Sequence, residues 1–262
     1  MQLIFTHDKN RLLEHFSKDP VLFSYHLGDL DDFFFPHCQW GAIYGRSPRI
    51  DDAVLLYTGG DTPTLQAFGL TDKFPTLLRE YFAVCPDRFY GHFQSQRRPV
   101  FRESFNEQSL GTHQKMKLIE FREPKDRSQV GEIIRLGEAD QSDLQQLYDE
   151  SYPDHYFVPR MLESGKYFGV RRDGQLVAVS GVHVDSKEYK IAVLGNICTH
   201  PSSRGQGLAT IVTAHLVKEL VAESKTVCLN VKTDNGPAIH CYESLGFEKV
   251  CEYQEALFER ER

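Results

Sequence analysis

Apolar and polar positions along the chain change period several times, and each change marks an element. Apolar residues three and four apart predict helices over residues 9–16, 21–31 and 72–82, while short β-branched and aromatic runs predict strands over 39–44, 53–58 and 64–68. Residues 121–131 are charged, aperiodic and contain Pro124, so they read as a connection between two units. The pattern then resets, with a strand over 132–136, helices over 140–152 and 155–163, and a hairpin over 167–184 that turns at Arg172-Asp173-Gly174. Asp-Gly is a strong signal for a two-residue turn. Asp140 and Asp143 put carboxylates at the positive end of the first of these helices. A strand over 190–199 leads into a long helix (207–222), a strand (226–232), a short helix (237–245) and a closing strand (247–257). The fold class is α/β with a mixed sheet, divided into domains 1–122 and 130–262.

The composition narrows the function classes. A chain of 262 residues with 40% hydrophobic and 26% charged residues buries a substantial core, and two domains are the natural division. The net charge of -7 argues against nucleic acid or an anionic membrane as partner. The apolar start turns charged at His7-Asp8-Lys9, and no run is apolar for long enough to span a bilayer, so a soluble cytoplasmic protein is expected. Cys38, Cys85, Cys198, Cys228, Cys241 and Cys251 are dispersed without a Cys-x-x-Cys pair and read as small reduced core residues. No metal site is expected.

Two segments carry chemistry. The first is His200-Pro201-Ser202-Ser203-Arg204-Gly205-Gln206-Gly207-Leu208-Ala209, between a strand and a helix with apolar positions at 208, 211, 212, 216 and 220, widened by Val217 and Val221. The first amides of such a helix have no internal partner and sit at the positive end of its dipole, which suits a phosphate. Gly205 and Gly207 clear the approach, and Arg204 adds a permanent charge. No Gly-Lys-Ser/Thr ending and no third dinucleotide glycine follow, since Thr210 stands at that place. The second segment is Asn235-Gly236-Pro237-Ala238-Ile239-His240-Cys241-Tyr242-Glu243-Ser244-Leu245-Gly246-Phe247. Proline near its start and glycine just past its end predict a helix of little more than two turns, with Ala238 and Tyr242 on one face.

Together these segments resemble the GNAT superfamily of acyl-CoA-dependent N-acyltransferases. Its loop, Gln/Arg-x-x-Gly-x-Gly/Ala, is met at Arg204, Gly207 and Ala209, and its second motif at Asn235, Ala238, Tyr242, Gly246 and Phe247. The resemblance implies a mostly antiparallel mixed sheet flanked by helices, with acetyl-CoA or another acyl-CoA as co-substrate. It implies that amides of Arg204, Gly205, Gln206, Gly207, Leu208 and Ala209 hold the pyrophosphate. Main-chain groups of Ile197, Cys198 and Thr199 would pair with the pantetheine arm, which Asn235 and Ala238 would also meet, and Tyr242 would protonate the departing sulfur. The acceptor expected is a primary amine of a small molecule or amino acid, with a protein N-terminus or lysine as alternative, and a non-catalytic CoA sensor as the reading of another class. A monomer or homodimer is expected.

The attacking amine must be neutral, and a lysine-like amine of pKa about 10.4 is free in only about one molecule in 2,500 at pH 7. Many members of the superfamily place a glutamate ahead of the position of Ile197, where this chain has Leu194-Gly195-Asn196. His155, His183 and Asp185 are alternatives, and no base is assigned. In the first half, elements follow an order compatible with a smaller, degenerate copy of the same fold. Thr58-Gly59-Gly60 is its nearest approach to a phosphate loop, and Phe33-Phe34-Phe35 with Trp40 reads as core. A divergent first half before a complete CoA-binding half resembles the arrangement of glycine N-acyltransferase and its relatives.

Overall fold

The computed structural model describes residues 2–45, 48–125, 132–153, 155–223 and 225–261. Contacts divide the chain into a first unit of Met1–Lys115 with Cys251–Arg262, and a second unit of Met116–Val250. The sequence placed the division inside residues 121–131, of which 126–131 lie outside the described residues, and gave the final strand to the second unit. The structure gives Cys251–Arg262 to the first.

In the first unit β1 (Ile4–Phe5), α1 (Lys9–Phe16) and α2 (Ser24–Gly28) precede β2 (Cys38–Tyr44), β3 (Ile50–Tyr57) and β4 (Thr64–Ala67). Next come α3 (Phe74–Phe82), β5 (Arg88–Phe93), α4 (Arg98–Phe101) and β6 (Phe105–Leu118). The helix expected over 21–31 shrinks to five residues, with Phe23 before it supplying no capping side chain. The strands run β1-β2-β3-β4-β5 in order, antiparallel except for β4 and β5, which are parallel from Thr64↔Tyr90 to Ala67↔Phe93. The last strand, β12 (Phe247–Arg260), lies beside β5 from Gln254↔Phe93 to Glu259↔Arg88. Its Ala256 and Phe258 pack in one core with Phe89, Phe93, Phe101 and Phe105, which is why the chain's end belongs here. Phe34 and Trp40 are buried, as a core assignment requires, while Phe33 and Phe35 stay partly exposed.

In the second unit β7 (Ile133–Arg135) and α5 (Gln141–Ser151) are followed by β8 (Phe168–Arg172), β9 (Gln175–Ser186) and β10 (Ile191–Thr199). Then come α6 (Leu208–Ala222), β11 (Thr226–Lys232) and α7 (Gly236–Ser244). The strand order β11-β10-β9-β8-β7 is antiparallel apart from β10 and β11. Asp173 (φ 49°) and Gly174 (φ 81°) both take the left-handed conformation of a tight hairpin turn at the expected place. The helix expected over 155–163 is instead a tightened 3-10 run, Pro159–Ser164, because Pro159 lacks the amide that would extend it toward the N-terminus. α6 buries Leu208, Ile211, Val212, Leu216, Val217 and Leu220, whereas Val221, read as widening that face, is exposed. Burying a Leu or Val side chain is worth roughly 1.5–3 kcal/mol, so this face fixes the aim of the helix's N-terminus.

Candidate active site

Parallel pairing of β10 with β11 runs from Ile191↔Thr226 to Leu194↔Leu229 and stops. On its other side β10 loses register with β9 between Gly195 and Cys198, where Asn196 adopts a left-handed conformation at φ 54°. A bulge of this kind leaves main-chain groups without a strand partner and increases the local twist. The strand is therefore open toward β11 over residues 195–199 and irregular toward β9 at residues 196 and 197, pairing with β9 again at Cys198↔Val179 and Thr199↔Ala178.

The bulge is pinned from several sides. The Asn196 Nδ2 donates to the Tyr156 carbonyl (2.8 Å) and to the Tyr167 hydroxyl (2.9 Å). The Tyr148 hydroxyl donates to the Asn196 carbonyl (2.9 Å), and the Tyr167 hydroxyl to that of Val182 (3.1 Å). Asn196 is 3% exposed, so this network sits where each bond is shielded from water. In the sequence Asn196 drew notice only within Leu194-Gly195-Asn196, where the glutamate of many superfamily members is absent. Its signal was asparagine after glycine inside an apolar strand, since asparagine tolerates the left-handed region.

Beyond the bulge, Ile197 and Thr199 are half-buried and Cys198 is buried. Burial pushes the Cys198 thiol up to about 12, against a smaller downward pull from Arg204, so it stays protonated. The turn that follows is braced: His200 N–H donates to the Val177 carbonyl (2.9 Å), and the His200 ring contacts Ser202 Oγ (2.7 Å) and Glu150 (3.2 Å). Arg204 Nε donates to the Thr199 carbonyl (3.2 Å) and its Nη2 to that of Ser151 (3.1 Å), so the guanidinium fastens the loop to β10 and α5. Gln206 accepts from Arg172. Arg204, Gly205, Gln206 and Gly207 are exposed, while Leu208 is buried and Ala209 half-buried.

Gly207 is the N-cap of α6 at φ 72°, and a Cβ there would meet no atom within 4 Å. Glycine is thus favoured by conformation, and the space above it is open. Ile211 N–H is bonded to the Gly207 carbonyl (3.1 Å), which leaves the amides of Leu208, Ala209 and Thr210 ahead of the helix ladder, at its positive end.

α7 lies beside this helix start, joined by Thr210 Oγ1 donating to Cys241 Sγ (3.2 Å). Asn235 is exposed and caps α7, its Oδ1 accepting from Ala238 N–H (3.3 Å). Ala238 is half-buried, and Tyr242 is buried with its ring 6.1 Å from that of Phe247. Burial raises the Tyr242 phenol well above its usual range, with Cys241 and Tyr152 adding to the effect. It therefore holds its proton at neutral pH, and the same burial penalises a thiolate formed beside it. The closing Gly246 (φ 97°) leaves no room for a Cβ, which would run into the Glu120 carbonyl.

The three alternative bases differ in their surroundings. Asp185 is ion-paired with Lys225, both almost wholly buried. His155 stacks on Tyr148 (4.7 Å), and its Nδ1 accepts from Phe157 N–H (3.2 Å). Burial lowers its basicity, opposed by Asp149. His183 is half-buried with its ring against Gly195, edge-on to Tyr156 at 6.1 Å. Among the described residues no three His, Cys, Asp or Glu side chains form a metal-binding group, and no helix is long and apolar enough to cross a membrane.

Residues 168–256 match the family described as FR47-like protein. The chain is 35% identical over 84 residues to the [ribosomal protein bS18]-alanine N-acetyltransferase of Escherichia coli K12, covering 32% of this chain and 55% of that protein. It is 32% identical over 90 residues to N-alpha-acetyltransferase RimI of Mycobacterium tuberculosis, covering 32% of this chain and 52% of the relative. The chain thus spans about half the length of the curated relatives it matches. Among solved structures, a Drosophila protein superposes with a TM-score of 0.75 at 15% identity over 98% of both chains. A tandem GNAT protein from the clavulanic acid biosynthesis pathway superposes at 0.60 and 13% identity over 100% of this chain and 99% of its own. At such identities the likeness is one of fold.

Proposed function

We propose that the chain is a GNAT-superfamily acyltransferase, with residues 168–256 as its FR47-like part, and that it transfers an acyl group, acetyl first, from acyl-CoA to a primary amine. The observation that carries this reading is the opened strand at 195–199 running into the exposed glycine loop and the unpartnered amides of α6. Amides of Leu208, Ala209 and Thr210 bind the pyrophosphate, with Arg204 through Gly207 shaping the loop around it. The pantetheine arm lies along Ile197, Cys198 and Thr199 as an added strand between the parted edges, with Ala238 and Asn235 on its far side.

The nitrogen lone pair attacks the thioester carbonyl, and the C–N bond forms as the carbonyl π pair moves to oxygen. A main-chain N–H near Cys198 supports that oxyanion. Collapse breaks the C–S bond, Tyr242 protonates the departing sulfur, and the proton lost from nitrogen returns to the phenol through solvent.

A small-molecule amine is the leading acceptor. A peptide α-amine is the second reading, favoured by the two curated relatives above, one named an N-alpha-acetyltransferase and the other a ribosomal-protein alanine N-acetyltransferase. About one in ten α-amines is already neutral at pH 7, so such an acceptor asks little of a base.

Acetyl-CoA calorimetry on the protein and on Gly207→Asp tests the donor site, since aspartate tolerates the left-handed conformation and sets a negative charge at the loop. Binding that weakens about 100-fold or more supports the reading, because opposed like charges cost several kcal/mol. Absence of binding by the unsubstituted protein contradicts it.

A further inference from the structure

The carboxamide of Asn230 stands out from the polar groups of the second unit. Both its Nδ2 and its Oδ1 are buried and neither has a hydrogen-bond partner among the described residues. Buried polar side chains are nearly always hydrogen-bonded, so a fully orphaned amide marks a place where a ligand completes the arrangement. Its position is equally specific. Asn230 follows Leu229, the last residue of β11 in register with β10, and so stands where the two strands part.

A donor whose phosphates rest on the first turn of α6 and whose arm runs back past Thr199, Cys198 and Ile197 brings its reactive end to Gly195 and Asn196, the β10 side of that same parting. This placement rests on the acyltransferase reading above. We propose that Asn230 is a further catalytic residue of the transfer, its Nδ2 donating a hydrogen bond to the acyl carbonyl oxygen. As the amine adds, the carbonyl π pair moves onto that oxygen and the bond strengthens. As the C–S bond breaks, the pair returns to rebuild the carbonyl of the amide product. The Asn230 proton stays on nitrogen throughout, and no other reactant is needed. A main-chain donor on β10 and a side-chain donor on β11 then hold one oxygen from the two strands that part around it, which is the preorganisation that stabilises a developing oxyanion.

The test uses acetyl-CoA labelled with carbon-13 at the acetyl carbonyl, bound to the full chain and read by isotope-edited infrared difference spectroscopy, with affinities from calorimetry. Asn230→Leu removes both amide atoms while keeping the branching at Cγ, and Asn230→Asp keeps the size and shape but replaces the donor with an acceptor. The expected result is a carbonyl band at lower frequency in the unsubstituted protein than in either variant, with affinities within about threefold of one another, since a donor aimed at the developing charge contributes little to ground-state binding. A band at the same position in all three proteins overturns the assignment, because packing alone does not move the ligand's carbonyl stretch. Should Leu impair folding, Asp carries the comparison. Failure of the unsubstituted protein to bind acetyl-CoA overturns the underlying acyltransferase reading instead.

Discussion

The two parallel strand pairs make the most instructive comparison in the molecule. β4 leads through α3 to β5, and β10 leads through α6 to β11, so each unit contains one strand–helix–strand crossover to a parallel neighbour. In the second unit the turn before the helix is exposed and its glycines face open space. In the first, the corresponding turn is already filled. The Asp52 carboxylate, fully buried on β3, accepts from the amides of Leu70 (2.7 Å) and Thr71 (3.1 Å) and from the Thr71 hydroxyl, while Gln94 Oε1 takes the Gly69 amide (3.2 Å). Burial raises the Asp52 carboxyl above its usual range despite these bonds. One crossover leaves its main-chain donors at an exposed turn and without a partner from the helix ladder. The other satisfies them with its own chain, and so has a structural place for an anion but no vacancy for one.

The largest effect expected from this difference is on turnover. Tyr242→Phe should lower acetyl transfer by roughly 10²–10⁴-fold, the usual range for loss of a positioned proton donor, while acetyl-CoA affinity in calorimetry stays close to that of the unsubstituted protein. An equal fall in affinity and rate would move Tyr242 from proton transfer to binding. Next in size, Asp52→Ala strands several buried donors and should cost the first unit about 2–4 kcal/mol in denaturant unfolding. It should leave the acetyl-CoA affinity unchanged, and a large loss of affinity would break the separation between filled and open crossovers.

Asn196→Ala loses two side-chain hydrogen bonds and a residue suited to positive φ, for an expected cost of about 2–3 kcal/mol. Asn196→Gly should recover part of it, because glycine takes the same conformation freely. Thermal melts of the pair check the order, and equal melting temperatures would mean the bulge conformation carries no strain.

A smaller and broader effect is expected in acid. Burial, aided by the Lys18 charge, lowers His15 to about 4 in the folded first unit. The unfolded chain therefore binds more protons between about pH 6.5 and 4, and stability of order 3 kcal/mol, complete above that window, is lost as pH falls through it. In the second unit burial opposes ionisation of Glu223, but hydrogen bonds and charges from Lys166 and Lys225 bring its carboxyl to about 2. That contribution is present above about pH 4.3 and fades only below it. Fluorescence of Trp40, the chain's single tryptophan, reports on the first unit and should show a lower unfolding midpoint at pH 5 than at pH 7. Constant midpoints across that interval would remove His15 from the account.

Much of the second unit was legible because its signals are local. The turn at Asp173-Gly174, the glycine at the start of α6 and the Asn235–Gly246 frame of α7 are each set by backbone requirements of a few adjacent residues. What escaped depends on distant partners. The return of Cys251–Arg262 to the first unit rests on pairing with β5 and on a shared aromatic core, and nothing within the strand itself announces either. Arg204 reads as a permanent charge at the loop, and the bonds of its guanidinium to the carbonyls of Thr199 and Ser151 could not be read from the motif. The carboxylate filling the first crossover comes from β3, about twenty residues upstream of the amides it meets, a separation that no motif spans.

Amide hydrogen exchange with and without saturating acetyl-CoA tests the central claim in a single measurement. Protection should rise at residues 197–199 and 205–210 while residues 69–74, already bonded within the first unit, exchange at the same rate in both samples. Protection gained at 69–74, or none at 205–210, would contradict the assignment of donor binding to the second crossover.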